Sequence, residues 1–381
     1  MVKFRAITPA DVLFLRGNRL FGGAGEHGEA QMPPWPSVFA GAVASRILTD
    51  KDQIGRITAY PGQAENILTQ VAGSDFACVF LGLTRERRTF VPLPADLVAV
   101  RQDEAGKYSL RRLEPQAIPK GLSCSAPLSL VPVLQGMPKR EKPVKGLWLD
   151  LEGWSSHLVG ELADFGCLAP NSHFWRPDPR LGIARDRESR TAADSKIYTS
   201  EAIALTPDTC FIAGFTGKNI PTGGLLRLGG DGRGATITTI SDVILPVEFG
   251  RPKPGWPGFR MILTSPGIFP DGWLPPGCNV EEDGVFLSCG SLRAELRAAA
   301  IGRHEVVSGW DMANHRPKPA RKVVPTGSVY WFSVLDGDTS ELDRLWSRSL
   351  YENDSNLSNE YKTARRWEGF GRCWFGAWQP R

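Results

Sequence analysis

The stretch Glu368-Gly-Phe-Gly-Arg-Cys-Trp-Phe-Gly-Ala-Trp378 runs a glycine turn directly into a short apolar strand. Gly369 and Gly371 flank Phe370, and Arg372 opens the strand. Such a turn allows positive φ, exposes backbone N–H groups and can wrap an anion, with the neighbouring arginine suited to a phosphate. A second turn of the same kind lies in Leu226-Arg-Leu-Gly-Gly-Asp-Gly-Arg-Gly234, also between strand-like segments. The two turns fall late in the two halves of the chain. Together they predict two α+β units, each closed by a glycine loop and a strand.

A length of 381 residues exceeds one usual core, and 41% hydrophobic content suits globular packing. Gly 41 and Pro 30 point to many turns and long ordered loops. The net charge of +4 is mildly basic, so affinity for a polyanion has to come from local patches. Four stretches are locally basic. Residues 361–381 are net +4, residues 312–328 are +4 with no acid, and residues 139–145 are net +3. Residues 179–198 hold five basic groups against three acids. Seven scattered cysteines, with no Cys-x-x-Cys pair, predict reduced thiols in a cytoplasmic protein and no zinc site. Lys3, Arg5 and Asp11 interrupt the apolar core a signal peptide needs, and no apolar run reaches membrane-helix length.

Along the chain, Val2–Ile7 reads as a strand, residues 16–36 as a loop, and Val38–Leu48 as a buried helix capped by Ser37. Phe90–Val100 and Lys107–Leu113 read as a hairpin, residues 114–146 as a long loop, and Trp154–Phe165 as a short helix. Ile197–Leu205 and Cys210–Phe215 read as paired strands. Residues 246–381 read as a second unit, with Phe259–Thr264 and Val329–Val334 as strands and residues 266–290 as a loop. Asp338 and Glu341 start an amphipathic helix through Leu350. In the last strand Trp374 and Trp378 face one way and Cys373, Phe375 and Ala377 the other, so the tryptophans read as core.

Several chemistries are absent from the sequence. Gly23-x-Gly25-x-x-Gly28 runs on to Pro33-Pro34 instead of into a helix, which argues against a dinucleotide site. There is no Walker A lysine motif, no His-Glu-x-x-His and no Gly-x-Ser-x-Gly. His27, in the first glycine loop, is the one histidine placed to act as an acid–base group in RNA cleavage.

Several motifs occur in the order found in one family. Leu13–Phe21 and Pro34–Ala42 resemble its N-terminal signature. Phe90–Asp96, Leu181–Asp186 with Arg190–Ala192, and Leu226–Arg233 resemble its middle. Pro325–Trp331 and Glu368–Trp378 resemble its end. The family is the third Cmr subunit of type III-B CRISPR effector complexes, within the RAMP superfamily, and the likeness spans about residues 5–378. The resemblance implies two ferredoxin-like (RRM-like) domains with long insertions, over residues 1–245 and 246–381. It further implies no catalysis and no cofactor or metal. It implies that the subunit holds the 5′ repeat-derived tag of the crRNA, next to the large polymerase-like subunit and a backbone subunit. Target RNA would be met only indirectly. Residues 181–200 resemble a thumb that bends the guide, and the basic stretch 114–146 is longer than in the pattern.

Single-stranded RNA needs phosphate neutralisation and planar surfaces for its bases. The candidate RNA-binding residues are Gly229, Gly230, Gly232 and Arg233 in one loop and Gly369, Gly371 and Arg372 in the other. Arg185, Arg187, Arg190 and Lys196 belong to the thumb-like stretch. Arg16 and Arg46 flank the first loop and helix, and Arg321 and Lys322 lie in the acid-free basic run. Two other functions compete: a metal-independent endoribonuclease acting on repeat RNA through His27, and a carbohydrate-binding β-rich module.

Overall fold

The structure is a computed structural model that describes residues 1–15, 27–28, 30–101, 108–121, 127–134, 142–185 and 188–380. Antiparallel sheets dominate and helices are few, as the α+β reading requires. The chain forms two compact units, and each draws on separate stretches. Unit 1 comprises residues 1–86, 171–242 and 306–321; unit 2 comprises residues 87–170, 243–305 and 322–381. The passage expected near residue 246 is therefore one of several, because long segments of each half insert into the other unit.

Unit 1 is built on the strand order Gly223–Arg227, Gly234–Thr239, Lys3–Pro9, Cys210–Thr216, Ala77–Arg85, all neighbours antiparallel. Lys3–Pro9 and Ala77–Arg85 consequently run parallel with one strand between them. The crossover linking them carries the helices Pro36–Asp50, Ile54–Ala59 and Ala64–Ala72. The first helix begins at Pro36, one residue before the expected Ser37 cap, because the fixed φ of proline suits the first helical position. Its Phe39 packs on Phe211 of the sheet with ring centroids 5.0 Å apart, both rings buried. Cys210–Thr216 pairs with Lys3–Pro9 and Ala77–Arg85, not with the 197–205 segment as expected. That segment instead belongs to a long hairpin, Trp175–Arg185 with Ala192–Leu205, which contains the thumb-like stretch. Within it Tyr198 lies across from Gly182, and a Cβ at Gly182 would sit 2.3 Å from the Tyr198 ring.

Unit 2 centres on the order Leu292–Ala300, Val329–Asp336, Gly258–Leu263, Cys373–Ala377, again all antiparallel. Numbered along the chain, the four strands lie in the order 2-3-1-4. In unit 1, Lys3–Pro9, Ala77–Arg85, Cys210–Thr216 and Gly234–Thr239 lie in that same order. Gly258–Leu263 is buried along its whole length, with Phe259 stacked on Phe332 at 4.9 Å. The expected 266–290 loop contains a hairpin, Cys278–Glu281 with Gly284–Cys289, at the edge of this sheet. Residues 114–146 likewise hold strand: Tyr108–Ala117 pairs with Leu130–Leu134, Pro115 facing Pro132. Every residue of that first strand before Ala117 is half-buried, so no in–out alternation marks it. The expected 90–100 strand is two, Arg88–Pro92 and Leu97–Arg101, and the helix expected from Trp154 runs Leu151–Leu158, capped by Asp150.

The amphipathic segment after Asp338 is broken into Thr339–Leu342, Asp343–Ser347 and Leu350–Asn353. A further helix, Asn359–Glu368, follows, capped by Ser358. Among the described residues no helix is long and apolar enough to cross a membrane.

Candidate nucleic-acid interface

The N-terminal glycine loop turns the chain between Gly223–Arg227 and Gly234–Thr239 at the edge of the unit 1 sheet. Gly229, Asp231 and Gly232 hold φ of 77°, 56° and 64°. Glycine is required at 229, where a Cβ would lie 2.8 Å from the Phe14 carbonyl oxygen. The loop is tied to the N-terminal segment by Gly230 N–H, which donates to the Phe14 carbonyl at 2.7 Å, and by Ala10 N–H, which donates to Gly234 at 2.9 Å. The Gly230 N–H is thus committed inside the fold, contrary to the expectation that it faces an anion. Gly232 and Gly234 are exposed.

Next to the loop, the Arg233 guanidinium lies over the half-buried Phe14 ring, 4.9 Å from its centroid. The Arg180 guanidinium, from the middle of the Trp175–Arg185 strand, lies 5.8 Å from the same centroid. Arg233 Nη1 also donates to the exposed Asp11 carboxylate at 3.1 Å. The bridge between Leu13 and Ile203 brings these parts together by laying the N-terminal segment against the hairpin. The result is an aromatic ring flanked by two guanidiniums, each paired with a carboxylate, Arg233 with Asp11 and Arg180 with Asp178 at 2.9 Å. Sequence reasoning found Arg233 but not Phe14, Asp11 or Arg180. Phe14 belongs to the Leu13–Phe21 motif, and that was its only visible signal.

The other expected site residues lie elsewhere. Arg46 is committed to the fold: it pairs with Asp50 at 2.7 Å and donates to the Leu225 carbonyl at 2.6 Å, pinning an edge strand to the first helix. Arg190 is exposed at the hairpin tip with φ 57°. Arg185 and Lys196 lie in the two hairpin strands, but their side chains, like that of His27, lie outside the described residues, as do Arg16 and Arg187. Arg321 and Lys322 are exposed on the short strand Arg321–Val323.

The C-terminal glycine loop is a correction. Gly369, Gly371 and Arg372 are all buried, and the loop works as a helix terminus. Gly369 takes the left-handed conformation that ends Asn359–Glu368, and the N–H groups of Gly369 and Phe370 donate to Arg366 and Arg365. Gly371 N–H donates to the Pro266 carbonyl at 2.9 Å, and Arg372 N–H donates to Ser265 Oγ at 2.9 Å. The Arg372 guanidinium turns inward toward the Ser347 carbonyl, 3.3 Å away. Two cations of the basic run around it are paired, Arg365 with Glu368 and Arg366 with Glu352. Trp374 is core, against Trp154 at 5.1 Å and Phe249 at 5.3 Å.

Two further clusters bring titratable side chains together. Asp96, His157 and Arg260 are buried together in unit 2, with Arg260 Nη1 3.0 Å from Asp96 and His157 Nε2 3.1 Å from Asp96. Burial alone would raise the Asp96 carboxyl, but His157 and Arg260 outweigh it and bring it to about 2. Burial pushes the His157 imidazole down, against the pull of Asp96. Sealed from solvent, this group braces the fold. Asp150, Glu152 and Cys167 bring three potential ligand atoms within 4.8 Å of one another. Asp150 is already committed to capping Gly153 N–H and to Arg88, and burial followed by Asp150 pushes the Cys167 thiol up to about 11. That donor set suits a fold brace better than a metal.

The mixed α/β architecture is shared with a chain of a solved complex, described as the type III-B Cmr-beta bound to cognate target RNA and AMPPnP. That chain is 15% identical, with a TM-score of 0.53, over 97% of this chain and 95% of that one. A second chain, from Cmr-beta bound to cognate target RNA, is 14% identical with a TM-score of 0.48 over 97% and 95%. A third, from a Csm3-Csm4 subcomplex of a type III-A CRISPR-Cas interference complex, is 10% identical with a TM-score of 0.35 over 99% and 100%. Among curated proteins the comparison finds no match. The family model described as CRISPR-associated protein (Cas_Cmr3) matches residues 5–378, nearly the whole chain, and the chain belongs to that family.

Proposed function

We propose that the chain is a non-catalytic, cytoplasmic guide-RNA-binding subunit of a type III-B effector complex in antiviral defence. It holds the 5′ repeat-derived tag of the crRNA beside the large polymerase-like subunit and a backbone subunit. Family membership supports the assignment to the complex. The observation that carries RNA binding is the Phe14 ring between Arg180 and Arg233, beside an exposed glycine loop. The guanidiniums held over the ring offer phosphate contacts and planar surfaces on which a base can stack, and the glycines permit close approach of a backbone. The shared strand order of the two units supports reading both as ferredoxin-like. In unit 1 the strand Gly223–Arg227 stands where the second helix of that fold would be; in unit 2 the edge hairpin 278–289 replaces the first helix.

The test is binding of RNA carrying the tag by complexes assembled with variant subunits. Phe14→Ala with Arg233→Ala weakens tag binding by about 10- to 100-fold, in line with roughly 1–3 kcal/mol for a lost base stack. The slope of log affinity against log salt falls by about 0.7 for the lost phosphate contact. Unchanged affinity and slope would overturn the site. Metal-free cleavage of repeat RNA, lost on His27→Ala, would overturn the non-catalytic reading.

A further inference from the structure

A second feature of unit 1 lies in residues 306–321, apart in sequence from the glycine loop. Trp310–Asp311 and Arg316–Pro317 form a short antiparallel ribbon, with Trp310 opposite Pro317 and Asp311 opposite Arg316. The ribbon is rigidly closed. Lys318 N–H donates to the Gly309 carbonyl at 2.8 Å, and Ser308 Oγ donates to the Lys318 carbonyl at 2.7 Å. At the other end Ala313 is buried in a cluster with Leu48, Ile57 and Ile67 of the helices.

A ribbon pinned at both ends has every opportunity to fold its large apolar side chains inward. It leaves Trp310 53% and Met312 48% exposed instead. The charge is one-sided as well. Arg316, Lys318 and Arg321 are exposed, and the single acid of the segment is Asp311. Asp311 is committed to the turn: its carboxylate accepts from the N–H groups of Ala313 and Asn314, each at 3.1 Å, and from Asn314 Nδ2 at 2.8 Å. An exposed indole on a hydrogen-bonded ribbon that also exposes Arg316 and Lys318 matches the chemistry of single-stranded nucleic-acid binding.

We propose that this ribbon is a second contact for single-stranded RNA, with Trp310 stacking on one base and Arg316 and Lys318 meeting the adjoining phosphates. Pairing rules put Trp310 and Pro317 on one face of the ribbon and Arg316 on the other. The strand therefore lies along the ribbon edge, its base over the indole and its backbone turned toward the cations. The contact is sequence-tolerant, since every base has a π-face.

The proposal concerns a surface separate from Phe14 and Arg233, so its test separates the two. Binding of a labelled 15-nucleotide uridine RNA is measured for the full chain, alongside the same oligonucleotide made abasic. Trp310→Ala weakens binding of the base-bearing RNA by about 5- to 100-fold and leaves abasic RNA unchanged, while Trp310→Phe keeps most of the affinity. Arg316→Ala with Lys318→Ala weakens both RNAs and lowers the salt slope by about 1.4. If Trp310→Ala binds both RNAs like the parent while Phe14→Ala is impaired, the ribbon proposal fails and the glycine-loop site stands. If Trp310→Ala leaves RNA binding intact but blocks association with another subunit of the complex, the ribbon is a protein contact and the proposal is overturned.

Discussion

Replacing Asp11 with Asn should tighten RNA binding. In the free chain the Asp11 carboxylate sits 3.1 Å from Arg233 Nη1, on the guanidinium that a phosphate would take. The two side chains are 62% and 30% exposed, so the pair is a surface ion pair worth roughly 0.2–1 kcal/mol. RNA has to break that pair or share the guanidinium with it. A phosphate seated on Arg233 about 6 Å from the carboxylate also meets a repulsion of about 0.7 kcal/mol in water, less in salt. Both contributions act in the same direction. Asp11→Asn should therefore raise affinity for tag-bearing RNA by about 2- to 10-fold at low salt, with the gain shrinking as salt rises. Fluorescence anisotropy over a salt series measures it. Asp11→Glu should stay within about 2-fold of the parent, since it keeps the charge. Equal or weaker binding by Asp11→Asn at low salt would refute the reasoning, because the carboxylate would then not compete for the anion position.

The C-terminal loop, by contrast, should answer to stability measurements. Gly371 has φ 68° and a Cβ there would lie 2.6 Å from the buried Tyr351 ring, so Gly371→Ala should cost about 2–5 kcal/mol, read as a lower urea midpoint, with RNA affinity of the folded protein unchanged. Arg260→Met strands the buried Asp96 carboxylate and should cost about 3–5 kcal/mol; adding Asp96→Asn should recover part of it. His157 has a folded pKa below its unfolded value, so its contribution is present above pH about 6.5 and is lost as pH falls. The urea midpoint should drop between pH 7 and pH 5, and His157→Gln should flatten that drop. The Asp96 contribution, with the carboxyl at about 2 in the fold, should persist until pH falls below about 4.

The two glycine–arginine loops show what the sequence could and could not convey. Both read as the same pattern, and both take positive φ at their glycines. Their fates diverge because of what precedes them. Gly369 ends a helix that Ser358 begins, and a glycine just past a capped helix is a terminator first. That helix has no buried residue, so no apolar stripe betrayed it, and the terminator role went unread. The Gly229 loop instead joins the edge strand Gly223–Arg227 to its neighbour Gly234–Thr239 and stays at the surface. Composition did carry the mixed α/β character and the strand Val329–Asp336. The assembly of Phe14, Arg180 and Arg233 was not legible, because it depends on the bridge between Leu13 and Ile203 across 190 residues. The strands within 114–146 were hidden for a different reason. Pro115 and Pro132 face each other on half-buried strands, where the prolines argue against a strand and no in–out alternation marks one.

The most direct test of the RNA-binding account is photo-crosslinking in the assembled effector complex, with 4-thiouridine placed along the 5′ tag of the crRNA and the crosslinked peptides identified by mass spectrometry. Crosslinks from tag nucleotides to the segments around Phe14 and Gly229–Gly234 are the predicted result. Tag crosslinks confined to other parts of the chain, with neither of those segments labelled, would contradict it.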